Sequence, residues 1–214
     1  MSHLPMVEPN DEPPELKAVF DQLRATRGRV PGMYRTLAHQ PGVLAAHRAY
    51  FYAALDAGML PRAFKEPVAF KVARLRGTAY CTGSHRSYAL KHGVTAEQLE
   101  AIDRGDYSGL DARGVAAMQL AEAMVSSRKG IPDEIFAKLK RCFAANEIVE
   151  LISLVGIMEL ACSMAEEDGG MIWIAYAATL GATVYLTVMI WLEAALLIKM
   201  ATGIWNSLLR GHPG

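Results

Sequence analysis

The chain has 214 residues, 52% of them hydrophobic, and its 22 basic and 22 acidic side chains cancel. That balance gives nucleic acid no electrostatic footprint to hold. Three cysteines at irregular spacing (Cys81, Cys142 and Cys162) make neither a disulfide framework nor a zinc site.

The length suits one main domain with something appended. The opening MSHLPMVEPNDEPPEL is polar and proline-rich, so no cleavable secretory signal is visible, and a thiol-bearing domain is expected in a reducing cytosol. Residues 1 to about 13 read as an extended arm, followed by Asn10-Asp11-Glu12 as caps of a first helix, Pro14 to Thr26. Its apolar positions Leu16, Val19, Phe20 and Leu23 follow helical spacing. A turn at Val30-Pro31-Gly32 leads to a short helix from Met33 to His39. A longer one from Val43 to Ala57 carries Leu44, His47, Tyr50, Phe51 and Leu55 along one side. Beyond a helical hairpin around Gly77, Thr95 to Gln98 opens another helix as a capping box. Helices over Asp111–Ser127, Pro132–Phe143 and Asn146–Glu167 follow. No segment alternates apolar and polar residues long enough for a strand. The fold class is all-α.

The stretch EPVAFKVARLRGTAYCTGSHRSYALKHG, residues 66–93, holds the chemistry. Cys81 and His85 are four apart and share a helix face, with Thr78 on the same stripe. Gly77 ends one helix, and Thr78 is a fitting N-cap for the next, its hydroxyl expected to face the amide of Cys81. The thiol then lies in a first helical turn, where amides and the macrodipole favour a thiolate. Glu66 would be about 18 Å from Thr78 on one straight helix. If the chain folds back at Gly77, Glu66 instead falls within about one helical turn of His85. The order Glu66, His85, Cys81 makes a carboxylate–imidazole–thiol relay. Pro67 opposes it, because proline steers the residue before it away from helical geometry. Tyr80 reads as packing beside the thiol. His39, His47 and His92 have no metal-ligand spacing, and neither metal nor cofactor is expected.

At these positions the sequence resembles the alkyl hydroperoxidase D and carboxymuconolactone decarboxylase-like superfamily, whose pattern is Glu-x11-Cys-x2-Cys-x3-His. Glu66, Tyr80, Cys81, His85 and Gly93 match it, while Thr78 stands where the first cysteine would be. The likeness runs over roughly Val30 to Glu167, including AHQPGVLAAHRAYFYAALDAGMLPRAFKE, GVTAEQLEAI and IPDEIFAKL. It implies an all-α domain that assembles into homo-oligomers. In the hydroperoxidase branch it implies a pair of cysteines cycling through a disulfide while Glu and His relay a proton. In the decarboxylase branch the cysteines are absent and the His remains. One cysteine with the His matches neither branch fully.

After Gly170 the character changes. Residues 171–192, MIWIAYAATLGATVYLTVMIWL, carry no charge and as a helix would reach about 33 Å, enough to cross a bilayer core. Trp173 and Tyr176 near one end and Trp191 near the other suit an aromatic belt. Ala177, Ala178, Gly181 and Ala182 form small-xxx-small pairs that admit a second helix. A single-pass anchor with a cytoplasmic N-terminal domain is expected. The span holds no histidine to ligate a haem. The expected organisation is an arm and helix over 1–30, the family-like domain over 31–168, the span over 171–192 (extendable to 205) and a tail over 206–214.

Two functions fit these residues. One is a membrane-tethered peroxidase with catalytic Cys81, His85 and Glu66, supported by Thr78 and Tyr80. Without a cysteine at 78, an external thiol must resolve the sulfenate. The other is an accessory subunit of a larger membrane complex, docked by its C-terminal helix. A muconolactone decarboxylase ranks third, since no cationic cluster is evident to hold its substrate's carboxylates.

Overall fold

The structure, a computed structural model, describes residues 5–8, 10–127 and 130–165. The chain divides after Gly169, and every described residue lies in the N-terminal unit. The expected span 171–192 lies outside the described residues; among those described, no helix is long and apolar enough to cross a membrane.

Among the described residues all regular structure is helical. A 3₁₀ turn at Pro14–Leu16 leads into α1 (Lys17–Arg27), followed by α2 (Gly32–Leu37) and α3 (Pro41–Phe51). A π-helical turn at Tyr52–Asp56 separates α3 from α4 (Arg62–Arg76) and α5 (Ala79–Lys91). The rest is α6 (Ala96–Arg104), α7 (Ala112–Ser126), α8 (Asp133–Cys142) and α9 (Ala145–Ala165).

The helix expected from Val43 to Ala57 is thus two pieces. The Ala57 amide bonds the Tyr52 carbonyl five residues back, which widens the last turn. On its outer side Tyr50, expected to face inward, is exposed. The first helix also starts differently. Asn10, Asp11 and Glu12 do not cap it: Pro13 provides the carbonyl that receives the Leu16 amide, and Glu12 turns to Arg24 at 3.2 Å. The capping box at Thr95 forms as expected, with both Gln98 N→Thr95 Oγ1 (3.2 Å) and Thr95 N→Gln98 Oε1 (2.9 Å) present.

The central element is α4, packed against α5, α7 and α9. Nine consecutive residues, Lys65 to Ala73, are buried. Burying apolar side chains such as Val68, Phe70 and Val72 contributes about 1.5–3 kcal/mol each for the larger ones. Pro67 sits inside this helix and costs about 3 kcal/mol in an unsupported helix interior. Burial on several sides outweighs it, so Glu66 stays helical despite the proline after it. Leu99, Ile102, Leu120 and Leu151 complete this larger core, while Leu16, Phe20, Leu23 and Leu44 join α1–α3 in a smaller one.

An ion pair is built into the larger core. Lys65 Nζ meets Glu150 Oε1 at 2.8 Å, tying α4 to α9, and the Met59 amide donates to Glu150 Oε2 at 2.7 Å. The carboxylate lies against Gly58, whose φ of +98° and missing side chain are both required: a Cβ there would collide with it.

Candidate active site

The hairpin of α4 and α5 turns at Gly77, whose φ of +70° closes α4 in the left-handed region. Residues equidistant from the turn then face one another. Glu66 Oε2 and His85 Nδ1 are 2.7 Å apart, with Glu66 fully buried and His85 6% exposed. Nδ1–H donating to the carboxylate leaves Nε2 as the acceptor, the tautomer a base requires. One turn before His85 on the same face is Cys81, 5% exposed.

Cys81 and His85 line one cavity of about 40 Å³ together with Tyr34, Arg62, Tyr80 and Tyr88. That is room for a few water-sized molecules and well under the roughly 300 Å³ of a typical ligand pocket. Tyr80 is half-buried in this wall, with the Arg29 guanidinium 5.5 Å from its ring centroid.

Thr78 departs from expectation. It occupies the N-cap position of α5, but its side chain makes no capping bond. Its hydroxyl instead donates to the Ala73 carbonyl at 3.4 Å, where its own amide also points at 3.2 Å. The reason is local. α4 ends just before Thr78, its last carbonyls need partners, and the buried hydroxyl is aimed back at them. The Cys81 amide is therefore not covered by this side chain.

Arg62 was not evident among the many arginines of the sequence, although its spacing of four before Glu66 on one helix was a usable signal. Its Nε and Nη2 donate to Glu66 Oε1 at 2.7 and 2.5 Å, and its Nη1 pairs with Asp56 at the end of the π-helical turn. Its guanidinium also lies 5.1 Å from the Tyr88 ring centroid. Burial by itself would raise the Glu66 carboxyl. Hydrogen bonds and charge from His85 and Arg62 outweigh that and hold it below the usual carboxylate range. Glu66 is a buried anion with both oxygens occupied.

The other cysteines lie elsewhere. Cys142 lines a separate hollow beside Lys138 and Arg141, and Cys162 is buried on α9 in the larger core. His47 is buried on α3, stacked on Phe51 and edge-on to Tyr34.

Residues 41–123 match the carboxymuconolactone decarboxylase family model. An uncharacterized protein of Cupriavidus necator H16 is 38% identical over 63 residues, which is 29% of this chain and 56% of that one. The chain thus spans little more than half the length of that relative. Among solved structures, the alkylhydroperoxidase AhpD core of an uncharacterized peroxidase-related protein from Ralstonia eutropha JMP134 is similar. Its TM-score is 0.66 at 19% identity, over 77% of this chain and 88% of that one. A peroxidase-related protein from Silicibacter sp. TM1040 gives 0.66 at 21% identity, over 77% and 86%. The debrominase Bmp8, as a cysteine-to-alanine variant in complex with 2,3,4-tribromopyrrole, gives 0.66 at 20% identity, over 78% and 90%. At these identities the structures establish a shared fold. The family match covers residues 41–123 of the 214 and contains Glu66, Cys81 and His85, and the chain shares its fold with the alkylhydroperoxidase AhpD core.

Proposed function

We propose that this chain is a one-cysteine, thiol-dependent hydroperoxidase using Cys81, His85 and Glu66. The observation that carries it is the buried Glu66–His85 hydrogen bond beside a cavity that Cys81 also lines. His85 takes the thiol proton, and Glu66 holds the resulting imidazolium. The thiolate sulfur attacks a peroxide oxygen: the S–O bond forms as the O–O bond breaks, and the leaving alkoxide takes the proton from His85. Sulfur is oxidised to a sulfenic acid and the peroxide is reduced to an alcohol, or to water when the oxidant is hydrogen peroxide and the leaving group hydroxide. One external thiol then displaces the hydroxyl as water to give a mixed disulfide. A second cleaves it, returning Cys81 and releasing an external disulfide.

The size of the cavity favours a small substrate, hydrogen peroxide or a short alkyl hydroperoxide. The debrominase Bmp8 suggests a second reading, removal of bromine from a ring such as a bromopyrrole. About 40 Å³ is tight for such a ring, so the smaller oxidant is preferred. The uncharged stretch 171–192 argues for a membrane tether, which would hold the enzyme at a bilayer surface.

The test is hydroperoxide consumption by the detergent-purified full chain with a dithiol, against Cys81→Ala. Turnover lost in the variant is expected. Equal, negligible rates in both would overturn the enzyme reading and favour an accessory subunit of a membrane complex.

A further inference from the structure

Arg62 touches more of the site than the thiol chemistry asks for. It lies four residues before Glu66 on α4 and occupies Oε1 through two of its nitrogens, leaving Oε2 for His85. Its third nitrogen pairs with Asp56, delivered by the π-helical turn. The fork is therefore fixed at both ends, and its side chain is only 24% exposed. It also borders the cavity itself.

With Oε1 held by two nitrogens of Arg62, the other carboxylate oxygen faces His85 Nδ1 at 2.7 Å. Without the fork the carboxylate is free to turn, and the imidazole loses the partner that sets its orientation and tautomer.

We infer that Arg62 is a positioning residue: it reserves Glu66 Oε1 and fixes the carboxylate toward His85, so that the imidazole is oriented to take the Cys81 proton. This rests on the thiol–imidazole reading above and adds the device that aims the histidine. The ionisable groups facing the same space are Arg27 from α1, Tyr34 from α2, and Tyr80, Cys81 and Tyr88 from α5, with Asp56 behind Arg62. From α9 the cavity receives Ala161, which carries no charge. Arg62 is the cation in direct contact with Glu66.

The sign of the effect follows from charge alone. Taking a cation out of this cluster makes the proton on Cys81 harder to remove. The onset of Cys81 reactivity should then move to higher pH, by less than the roughly one unit of a direct contact, because Arg62 acts on the thiol through Glu66 and His85. The experiment is the rate of iodoacetamide alkylation of Cys81 in the full-length protein as a function of pH, read by mass spectrometry of the Cys81 peptide. Arg62→Met and Arg62→Gln should both shift the onset upward, and Arg62→Lys should bring it back toward the parent. If Arg62→Met loses its helical circular dichroism, Arg62→Gln, close in shape but uncharged, decides the matter. Uncharged variants whose curves overlie the parent's would overturn the role. Hydroperoxide turnover with such unshifted curves would remove Arg62 from the relay and leave the peroxidase standing. A shifted onset without turnover would do the reverse. A parent Cys81 that alkylates only after denaturation would overturn both.

Discussion

Glu66 and His47 bury ionisable groups in opposite ways. Glu66 is ionised and held by two cations or donors, so its folded carboxyl titrates below the ordinary value of 4.5. The stability it contributes is present above that value and is lost as pH falls through the depressed folded pKa. Glu66→Gln should flatten the acid side of a stability curve measured by urea denaturation below pH 4.5. The same variant should slow Cys81-dependent peroxide reduction by roughly 10²-fold, the scale of an acid–base partner. His47 lacks a hydrogen-bond partner at either ring nitrogen among the described residues, and burial lowers its pKa from 6.5. Its neutral form is favoured in the fold, so stability is full above 6.5 and declines as pH drops below it. His47→Phe should remove that decline in thermal melts between pH 7 and 5, leaving only the slope from the carboxylates. The Glu66–His85 pairing was legible in the sequence, because a Gly77 turn brings Glu66 back to the helix face that His85 shares with Cys81. Arg62 was not, since a cation four residues before a glutamate is commonly a solvated surface pair. The capping expectation for Thr78 failed because its buried hydroxyl turns back to the Ala73 carbonyl in the last turn of the preceding helix.

Two local rules are overridden along α4. Proline after Glu66 reads as a helix boundary, yet the helix runs on through it, held by partners on three sides. No local pattern reveals that, because the compensation comes from residues more than forty positions beyond Pro67, on α7 and α9. The same holds for Lys65, which looks like a surface charge and is 1% exposed. Its partner Glu150 lies 85 positions along the chain. Removing one member of such a pair leaves a buried charge. Lys65→Met should cost about 3–5 kcal/mol in urea denaturation. Adding Glu150→Gln should recover part of that loss, since the amide still accepts from Met59 and no longer carries charge. Gly58→Ala combines a positive φ with a collision against the Glu150 carboxylate and should destabilise by more than about 1 kcal/mol. Helix limits elsewhere were readable to within a few residues, since Asp111 and Thr95 cap by side-chain bonds. The π-helical turn was not, because apolar spacing alone does not distinguish it from a continuing α-helix.

At the scale of the whole molecule, the chain divides into a helical unit and a C-terminal piece of different chemistry. All three tryptophans, Trp173, Trp191 and Trp205, fall in the latter. Tryptophan emission therefore reports on residues beyond 170 alone, and the helical unit must be followed by tyrosine or circular dichroism. If 171–192 spans a bilayer, brominated lipids should quench that emission and alkaline carbonate should leave the full chain in the membrane pellet. Unquenched emission with release by carbonate would remove the tether from the proposal.

If Cys81 cycles as proposed, the cavity of about 40 Å³ also bears on the second half of the cycle. A peroxide needs little room; a thiol brings a carbon chain with it. The sulfenic acid on Cys81 would form readily and then wait, sheltered from its reductants. Oxidised protein should accumulate at steady state, and turnover at saturating peroxide should follow the bulk of the thiol more closely than its reducing power. Hydrogen sulfide would then outpace a larger dithiol of lower potential. The site would act as a sieve on its reductant and hold a record of the last oxidant it met.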